Sequence, residues 1–98
     1  MIEITDTQVA LAYDEGKLKA YVNITLNHCF VVRGLKVIAG KSGTFVAMPN
    51  KQGRNGVFRD MAHPINASMR ERIETTVMHE YEKAKRKAME EIREDGRD

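Results

Sequence analysis

Paired cysteines, long apolar runs and secretory signals are all missing from this chain. Its single cysteine, Cys29, cannot form an internal disulfide, which indicates a reducing compartment and a packing role for the side chain. No apolar run approaches the roughly 20 residues that a membrane-spanning helix needs. Residues 1–6 lack the basic region and apolar core of a secretory signal. These absences predict a cytoplasmic protein without a membrane partner.

Sequence motifs that carry catalysis or bind cofactors are also missing. The chain has no Gly-x-Ser-x-Gly elbow, no phosphate-binding Gly-rich loop and no dinucleotide fingerprint. Asp60 and His63 are close enough in sequence to act as an acid–base pair, but no nucleophile accompanies them, and His63 before a proline is more typical of local backbone support. Adjacent His28 and Cys29 would point to opposite faces of a strand, and His79 has no histidine partner at i,i+4. We therefore expect no enzyme, no metal site and no small-molecule cofactor.

Acidic residues are absent from Gly16 to Arg59, although the net charge of the whole chain is only +2. The eight bases of this interval are Lys17, Lys19, Arg33, Lys36, Lys41, Lys51, Arg54 and Arg59. One sign of charge on one structural unit favours a polyanion as partner, because each neutralised phosphate releases a counterion. Lysines that protect sheet edges are the alternative explanation.

The hydrophobic period changes from two to about 3.6 near Ile65. This change predicts an α+β fold in which an antiparallel sheet of four to five strands precedes a long C-terminal α-helix that packs on it. A chain of 98 residues forms one domain with a modest core, so an oligomer would add buried surface. We place the domain at residues 1–82 and a charged helical extension at residues 83–98.

Alternating apolar residues define the predicted strands. Within residues 17–26 every even-numbered residue is apolar, which predicts a strand with one buried face. The apolar positions change parity near residues 6–7 and across Gly34, and each change predicts a β-bulge. Turns are predicted at residues 14–16 and 40–43.

Residues 44–48 (TFVAM) contain adjacent apolar residues, which predicts a central strand buried on both faces. We accordingly expect Phe30 and Phe45 to pack in the core. Because aromatic residues are few and no aromatic pair is evident on adjacent strands, the sequence does not favour a sheet surface that stacks unpaired bases.

The predicted helix begins at Ser68, which forms a capping-box pattern with Glu71. A stripe of apolar residues then recurs every three or four positions and can pack on the sheet. The stripe consists of Met69, Ile73, Val77, Tyr81, Ala84, Ala88 and Ile92. Beyond Tyr81 the stripe is mainly alanine, and i,i+4 charge pairs such as Glu82–Arg86 predict a solvated end that projects.

Two neighbouring segments are candidates for binding a polyanion. Residues 50–56 are polar and basic, and Asn55-Gly56 favours a reversing turn, so a hairpin would hold Lys51 and Arg54 away from the sheet. An ordinary mobile loop is the alternative. Arg70 and Arg72 lie at the predicted helix start, where the macrodipole disfavours positive charge and a bound phosphate would account for them.

The order of residues 45–49 (FVAMP), the basic loop and residues 58–66 (FRDMAHPIN) resembles the signature of the bacterial stage V sporulation protein G family. The resemblance covers roughly residues 1–82. It implies a small homodimeric regulator that binds DNA, with RNA as an alternative, in cell-division or sporulation programmes. Carried over to this chain, the binding role falls on Lys51, Arg54, Asn55, Arg59, Asn66, Ser68, Arg70 and Arg72. The spacing of bases within residues 51–56 departs from the family pattern, which bears on sequence preference.

A second hypothesis remains open. In this interpretation the chain is a protein-interaction module that binds an acidic partner through a sheet edge or the charged helix, without nucleic acid.

Overall fold

Six strands and one helix make up the structure, a computed structural model that describes residues 1–13 and 16–95, with side chains up to residue 91. The elements are β1 (Ile4–Leu11), β2 (Leu18–Leu26), β3 (Phe30–Gly40), β4 (Gly43–Ala47), β5 (Asn50–Gln52), β6 (Phe58–Asp60) and α1 (Ala67–Asp95). The predicted α+β class is confirmed. Of the predicted turn at residues 14–16, the first two residues lie outside the described part of the chain.

The first four strands form one antiparallel sheet in the order β1-β2-β3-β4. Both predicted bulges are present. In β1 the pairing with β2 shifts between Ile4 and Asp6, one residue before the predicted place. In β3 two residues, Arg33 and Gly34, lie opposite one residue of β2, and Gly34 has φ 88°, a conformation that favours glycine.

One face of the sheet packs against α1 and forms the core. The buried residues are Ala20, Val22, Ile24, Leu35, Val37, Val46, Met48, Ile73, Val77 and Tyr81. Ala20, Val22 and Ile24 of β2 and the helical stripe at Ile73, Val77 and Tyr81 are therefore buried as predicted. The two end residues of β2, Leu18 and Leu26, are only partly buried. The side chain of Ile92, the last predicted member of the stripe, lies outside the described part.

The predicted central position of β4 is wrong, because β4 pairs only with β3 and forms an edge of the sheet. Phe45 and Phe30 are also not in the core, since they are 48% and 63% exposed. Neighbouring residues of a strand point to opposite faces, and α1 covers one face alone. Val46 is therefore buried while Phe45 beside it faces away from the helix. Cys29, predicted to pack, is exposed in the turn between β2 and β3.

Asn66, and not Ser68, is the N-cap of α1. The Asn66 side-chain Oδ1 accepts a hydrogen bond of 2.7 Å from the backbone N–H of Met69, and its backbone oxygen accepts one of 3.2 Å from Arg70. The predicted capping box at Ser68 is therefore wrong, and Ser68 lies within the first turn. Asn is as good an N-cap as Ser, so the helix can begin earlier and directly follow the His63-Pro64 segment.

The C-terminal part of α1 continues as a helix to Asp95, and most residues from Glu82 to Glu91 are exposed. Glu82 pairs with Lys85 at 3.8 Å instead of with Arg86, and the Lys85 Nζ lies 5.5 Å from the centre of the Tyr81 ring. Both contacts join residues three or four positions apart on one helix face. Within the described chain, no helix is both long enough and apolar enough to span a membrane.

Candidate nucleic-acid interface

The basic segment after β4 is a hairpin, as predicted. Its turn is closed by backbone hydrogen bonds from Gly56 N–H to Gly53 O (3.1 Å) and from Gly53 N–H to Val57 O (2.9 Å). Gly56 has φ 81°, which favours glycine at this position. The Asn55 Oδ1 accepts a hydrogen bond of 3.1 Å from the Val57 N–H, so this predicted binding residue also holds the turn. Arg54, between Gly53 and Asn55, is exposed at the tip of the hairpin.

Lys51 and Arg59 lie directly opposite each other in the hairpin. Residues that are paired across two antiparallel strands share a face, so two positive side chains project on the same side. Like charges in this arrangement destabilise a hairpin. Both residues are exposed, and among the described residues the Glu82–Lys85 ion pair and the His79–Glu80 contact both lie on α1. The structure therefore holds two neighbouring cations that no described carboxylate neutralises.

The opposite face of the hairpin is not basic. Asp60 pairs with Asn50, and Phe58, which is 64% exposed, pairs with Gln52. Although Asp60 follows Arg59 in sequence, the alternation of a strand directs their side chains to opposite faces. The hairpin thus has one cationic face, formed by Lys51 and Arg59, and one mixed face.

The helix start is the second predicted site. The first turn of α1 contains no acidic residue, and Arg70 in this turn is exposed. The partial positive charge of a helix N-terminus adds to the Arg70 charge. The Asn66 Oδ1 is used for capping, so Arg70 and the hydroxyl of exposed Ser68 are the groups at this start that remain for a ligand.

Arg72 is placed differently from Arg70. It is half-buried, and its Nη2 donates a hydrogen bond of 2.8 Å to the Ile2 backbone oxygen. This bond links the helix to a residue 70 positions earlier in the chain. Arg72 therefore joins the N-terminus to α1, a structural contact that the sequence did not indicate.

The base of the hairpin and the start of α1 line the same apolar cavity of about 520 Å³. Pro49 at the base of the hairpin lines it, as do Asn66, Ser68 and Arg72 at the helix start. The Met61 N–H donates a hydrogen bond of 2.6 Å to the Pro49 oxygen, which returns the chain to the base of the hairpin before the helix begins. The base of the hairpin and the helix start therefore lie close together.

Asp60 and His63, the candidate acid–base pair, have other contacts. The His63 Nδ1 lies 3.0 Å from the Pro64 backbone oxygen, and Asp60 pairs with Asn50 in the hairpin. Among the described residues the structure has no hydrogen bond between Asp60 and His63. The backbone-supporting position that the sequence predicts for His63 is the one observed.

The profile of the SpoVG family matches residues 2–83 of this chain. The chain belongs to the SpoVG family. The match ends next to residue 82, where the charged helical extension is predicted to follow the domain.

Relatives in several bacteria are similar to this SpoVG-family chain over most of their length. A protein of Anaeromyxobacter sp. (strain Fw109-5) is 54% identical over 86 residues, which is 88% of this chain and 88% of the relative. Proteins of Myxococcus xanthus and Thermoanaerobacter pseudethanolicus are 51% and 48% identical, covering 84% and 86% of this chain and 82% and 91% of their own. All three are named "Putative septation protein SpoVG".

Sequence reasoning about this SpoVG-family chain missed two exposed aromatic side chains on the sheet, Tyr21 and Phe45. A signal for Tyr21 was present, because it lies at an odd position of β2, opposite the buried even-numbered residues. For Phe45 the neighbouring Val46 and Ala47 concealed the alternation. The opposition of Lys51 and Arg59 was also missed, since it depends on the hairpin register.

Proposed function

We propose that this chain is a homodimeric regulator that binds DNA, with RNA as a second ligand, through the basic hairpin and the adjacent helix start. The pairing of Lys51 with Arg59 is the observation that carries the proposal. Two like charges side by side raise the free energy of the free hairpin, and a phosphate between them would remove the repulsion. Binding is then favoured by relief of repulsion as well as by counterion release.

The shape of the hairpin supports duplex DNA as the ligand. A two-stranded β-ribbon fits the major groove of B-DNA, and several proteins read DNA in this way. Lys51 and Arg59 would contact the phosphate backbone, while Arg54 at the tip reaches furthest into the groove. Because an arginine can donate two hydrogen bonds to guanine, Arg54 is our candidate for base contact.

Arg70 would supply a second contact to the backbone. It lies on the first turn of α1, where the positive end of the helix dipole favours a phosphate. Pro49 at the hairpin base and Ser68 at the helix start line a common cavity, and we propose that one duplex contacts both segments. Arg72 acts indirectly in this proposal, because its bond to Ile2 holds the helix in place.

A salt series tests the proposal. Fluorescence anisotropy of labelled duplex DNA is expected to show micromolar or tighter binding at low salt that weakens log-linearly as salt rises. Replacing both Lys51 and Arg54 by alanine should reduce the slope of log K against log salt by about 1 for each phosphate that the variant no longer neutralises. No binding of the wild type at low salt would reject nucleic acid and favour the protein-interaction module.

The Arg86→Ala/Lys87→Ala double variant is the matched control. It removes one lysine and one arginine from exposed positions of α1 and so changes the net charge equally. If the hairpin binds the phosphates, the control retains the wild-type slope. An equal reduction in both variants would mean that net charge, and not the hairpin, drives binding.

Homodimer formation is the second part of the proposal, and the β4 edge supports it. The edge consists of Gly43–Ala47 and contains no charged residue or proline, the usual protections of an edge strand. We propose that two β4 strands pair across a twofold axis perpendicular to the sheet, which places both hairpins on the same side.

Sedimentation equilibrium is expected to give twice the monomer mass of 11.1 kDa at micromolar concentration. A lysine at the edge should interfere with the pairing, so Thr44→Lys is expected to weaken the dimer about tenfold or more. Gln8→Lys, at an exposed position of β1, is the control and should leave the mass unchanged. A wild type that stays monomeric at these concentrations would contradict the dimer.

The cellular role that we propose is based on the name of the relatives. They are called septation proteins, and we propose that this chain acts in the cytoplasm on genes of a septation or sporulation-type programme. Loss of DNA binding in the hairpin variant should then be accompanied by the same defect as deletion of the gene.

A further inference from the structure

The sheet face that points away from α1 carries two exposed aromatic side chains. Tyr21 of β2 pairs with Lys36 of β3, and Phe45 of β4 pairs with Ile38. These four residues alternate with the buried residues of their strands, so they share the outer face. Tyr21 is 50% exposed and Phe45 is 48% exposed. From strand spacing and rise, the two aromatic residues are roughly 12 Å apart.

The charge of this face is positive around the aromatic residues. No acidic residue occurs in β2, β3 or β4, and Lys36 lies on the row of Tyr21. Ala10 of β1 pairs with Tyr21, and Asp6 lies four residues from Ala10 on the same strand. Asp6 is therefore roughly 13 Å along the strand from the row of Tyr21. A cation next to exposed aromatic faces is the combination that single-stranded nucleic acids require.

We infer that this outer face binds single-stranded RNA, with bases stacked on Tyr21 and Phe45 and a phosphate at Lys36. Every base has a π-face, so such stacking tolerates many sequences. Asn23, two residues along the same face of β2, places a polar group beside Tyr21 for contact with base edges. We propose RNA as the ligand, since persistently unpaired bases in a cell are mostly those of RNA.

This inference rests on the proposed function and deepens it, because it assigns duplex and single strand to different surfaces. The hairpin would bind the duplex backbone, and the sheet would bind unpaired bases. Pairing of two β4 edges across a perpendicular twofold axis would keep both outer faces on one side. The two RNA surfaces of a dimer would then be continuous.

Anisotropy with three labelled probes tests the inference: oligo(U), oligo(dT) and duplex DNA. Removing one stacking ring is worth about 1–3 kcal/mol, so Tyr21→Ala and Phe45→Ala should each weaken oligo(U) binding roughly 5- to 140-fold. Duplex binding should change by less than about twofold, because these residues are outside the hairpin. Tyr21→Phe retains the ring and should bind oligo(U) like the wild type.

Two exposed aromatic residues elsewhere provide matched controls. Tyr13 precedes β2 and Phe30 begins β3, and they are 80% and 63% exposed. Alanine at either position should leave oligo(U) binding unchanged. Circular dichroism and urea unfolding would establish that each variant is folded before its binding is compared.

The outcomes separate this inference from the proposed function. Duplex binding by the wild type without oligo(U) binding, or unchanged oligo(U) binding in Tyr21→Ala and Phe45→Ala, would overturn the stacking surface alone. Conversion of a dimer to a monomer by Tyr21→Ala, which lies outside the β4 edge, would assign the face to a second copy of the chain and overturn it as well. Binding of oligo(dT) without oligo(U) would reject RNA. Absence of binding to all probes would reject both proposals.

Discussion

Lys51→Glu is expected to weaken binding of duplex DNA at least about tenfold at moderate salt while it stabilises the hairpin. The substitution changes a Lys–Arg pair into a Glu–Arg pair across the two strands. A cross-strand pair of opposite charge contributes roughly 0.2–1 kcal/mol, whereas like charges repel. Binding should weaken because the variant neutralises one phosphate fewer and places a carboxylate beside the backbone. The two effects have opposite signs, which a nonspecific loss of structure cannot reproduce.

Two measurements check this result. Anisotropy gives the DNA affinity, and amide hydrogen exchange gives the local stability of the turn, where the Gly53 N–H bonds to the Val57 oxygen. Exchange at Gly53 should be slower in the variant. Lys41→Glu, in the exposed turn between β3 and β4, has the same change of charge and should affect neither quantity much. DNA binding by Lys51→Glu equal to that of the wild type would remove the hairpin from the proposed interface.

Leu35→Ala is expected to lower the free energy of unfolding by about 2–5 kcal/mol. Leu35 is fully buried at the centre of the sheet and lines the cavity of about 520 Å³. Truncation removes buried apolar surface and enlarges a space that its neighbours cannot fill. Since domains of this size are stable by only about 5–15 kcal/mol, this loss removes a large part of the free energy of unfolding.

Urea unfolding at a fixed protein concentration measures the Leu35 effect, because any dimer makes the stability concentration-dependent. Val57→Ala is the control, since Val57 is 51% exposed on the hairpin and its truncation should cost no more than about 0.5 kcal/mol. A loss for Leu35→Ala as small as that of the control would mean that the buried face is not the core of the molecule.

Periodicity is a sound guide where one face of an element is buried. It locates Ala20, Val22 and Ile24 of β2 and the stripe from Ile73 to Tyr81 correctly, because a side-chain period depends only on local backbone geometry. The bulge at Gly34 is also predictable, since a change of parity requires an extra residue and glycine tolerates the resulting φ.

Sequence patterns fail to predict burial where it depends on which elements pack against a strand. Adjacent apolar residues in β4 give no indication that α1 covers one face alone, so the pattern places Phe45 wrongly in the core. The predicted helix start at Ser68 is wrong for a related reason. Asn66 and Ser68 are both good N-caps, and the path of the preceding loop decides between them. The bond between Arg72 and Ile2 joins residues 70 positions apart, and no local pattern indicates it.

For the candidate interface, the sequence alone determined which residues are basic, that no acid separates them from Gly16 to Arg59, and that a hairpin holds them. These properties follow from composition and from the turn-forming residues of a short segment. Tertiary structure alone decided that Lys51 faces Arg59, that Arg72 is bound to Ile2 while Arg70 is exposed, and that Tyr21 and Phe45 share an uncovered face. The physical reason is that strand register, long-range contacts and burial depend on how separate segments pack together, whereas charge and turn propensity belong to each segment by itself.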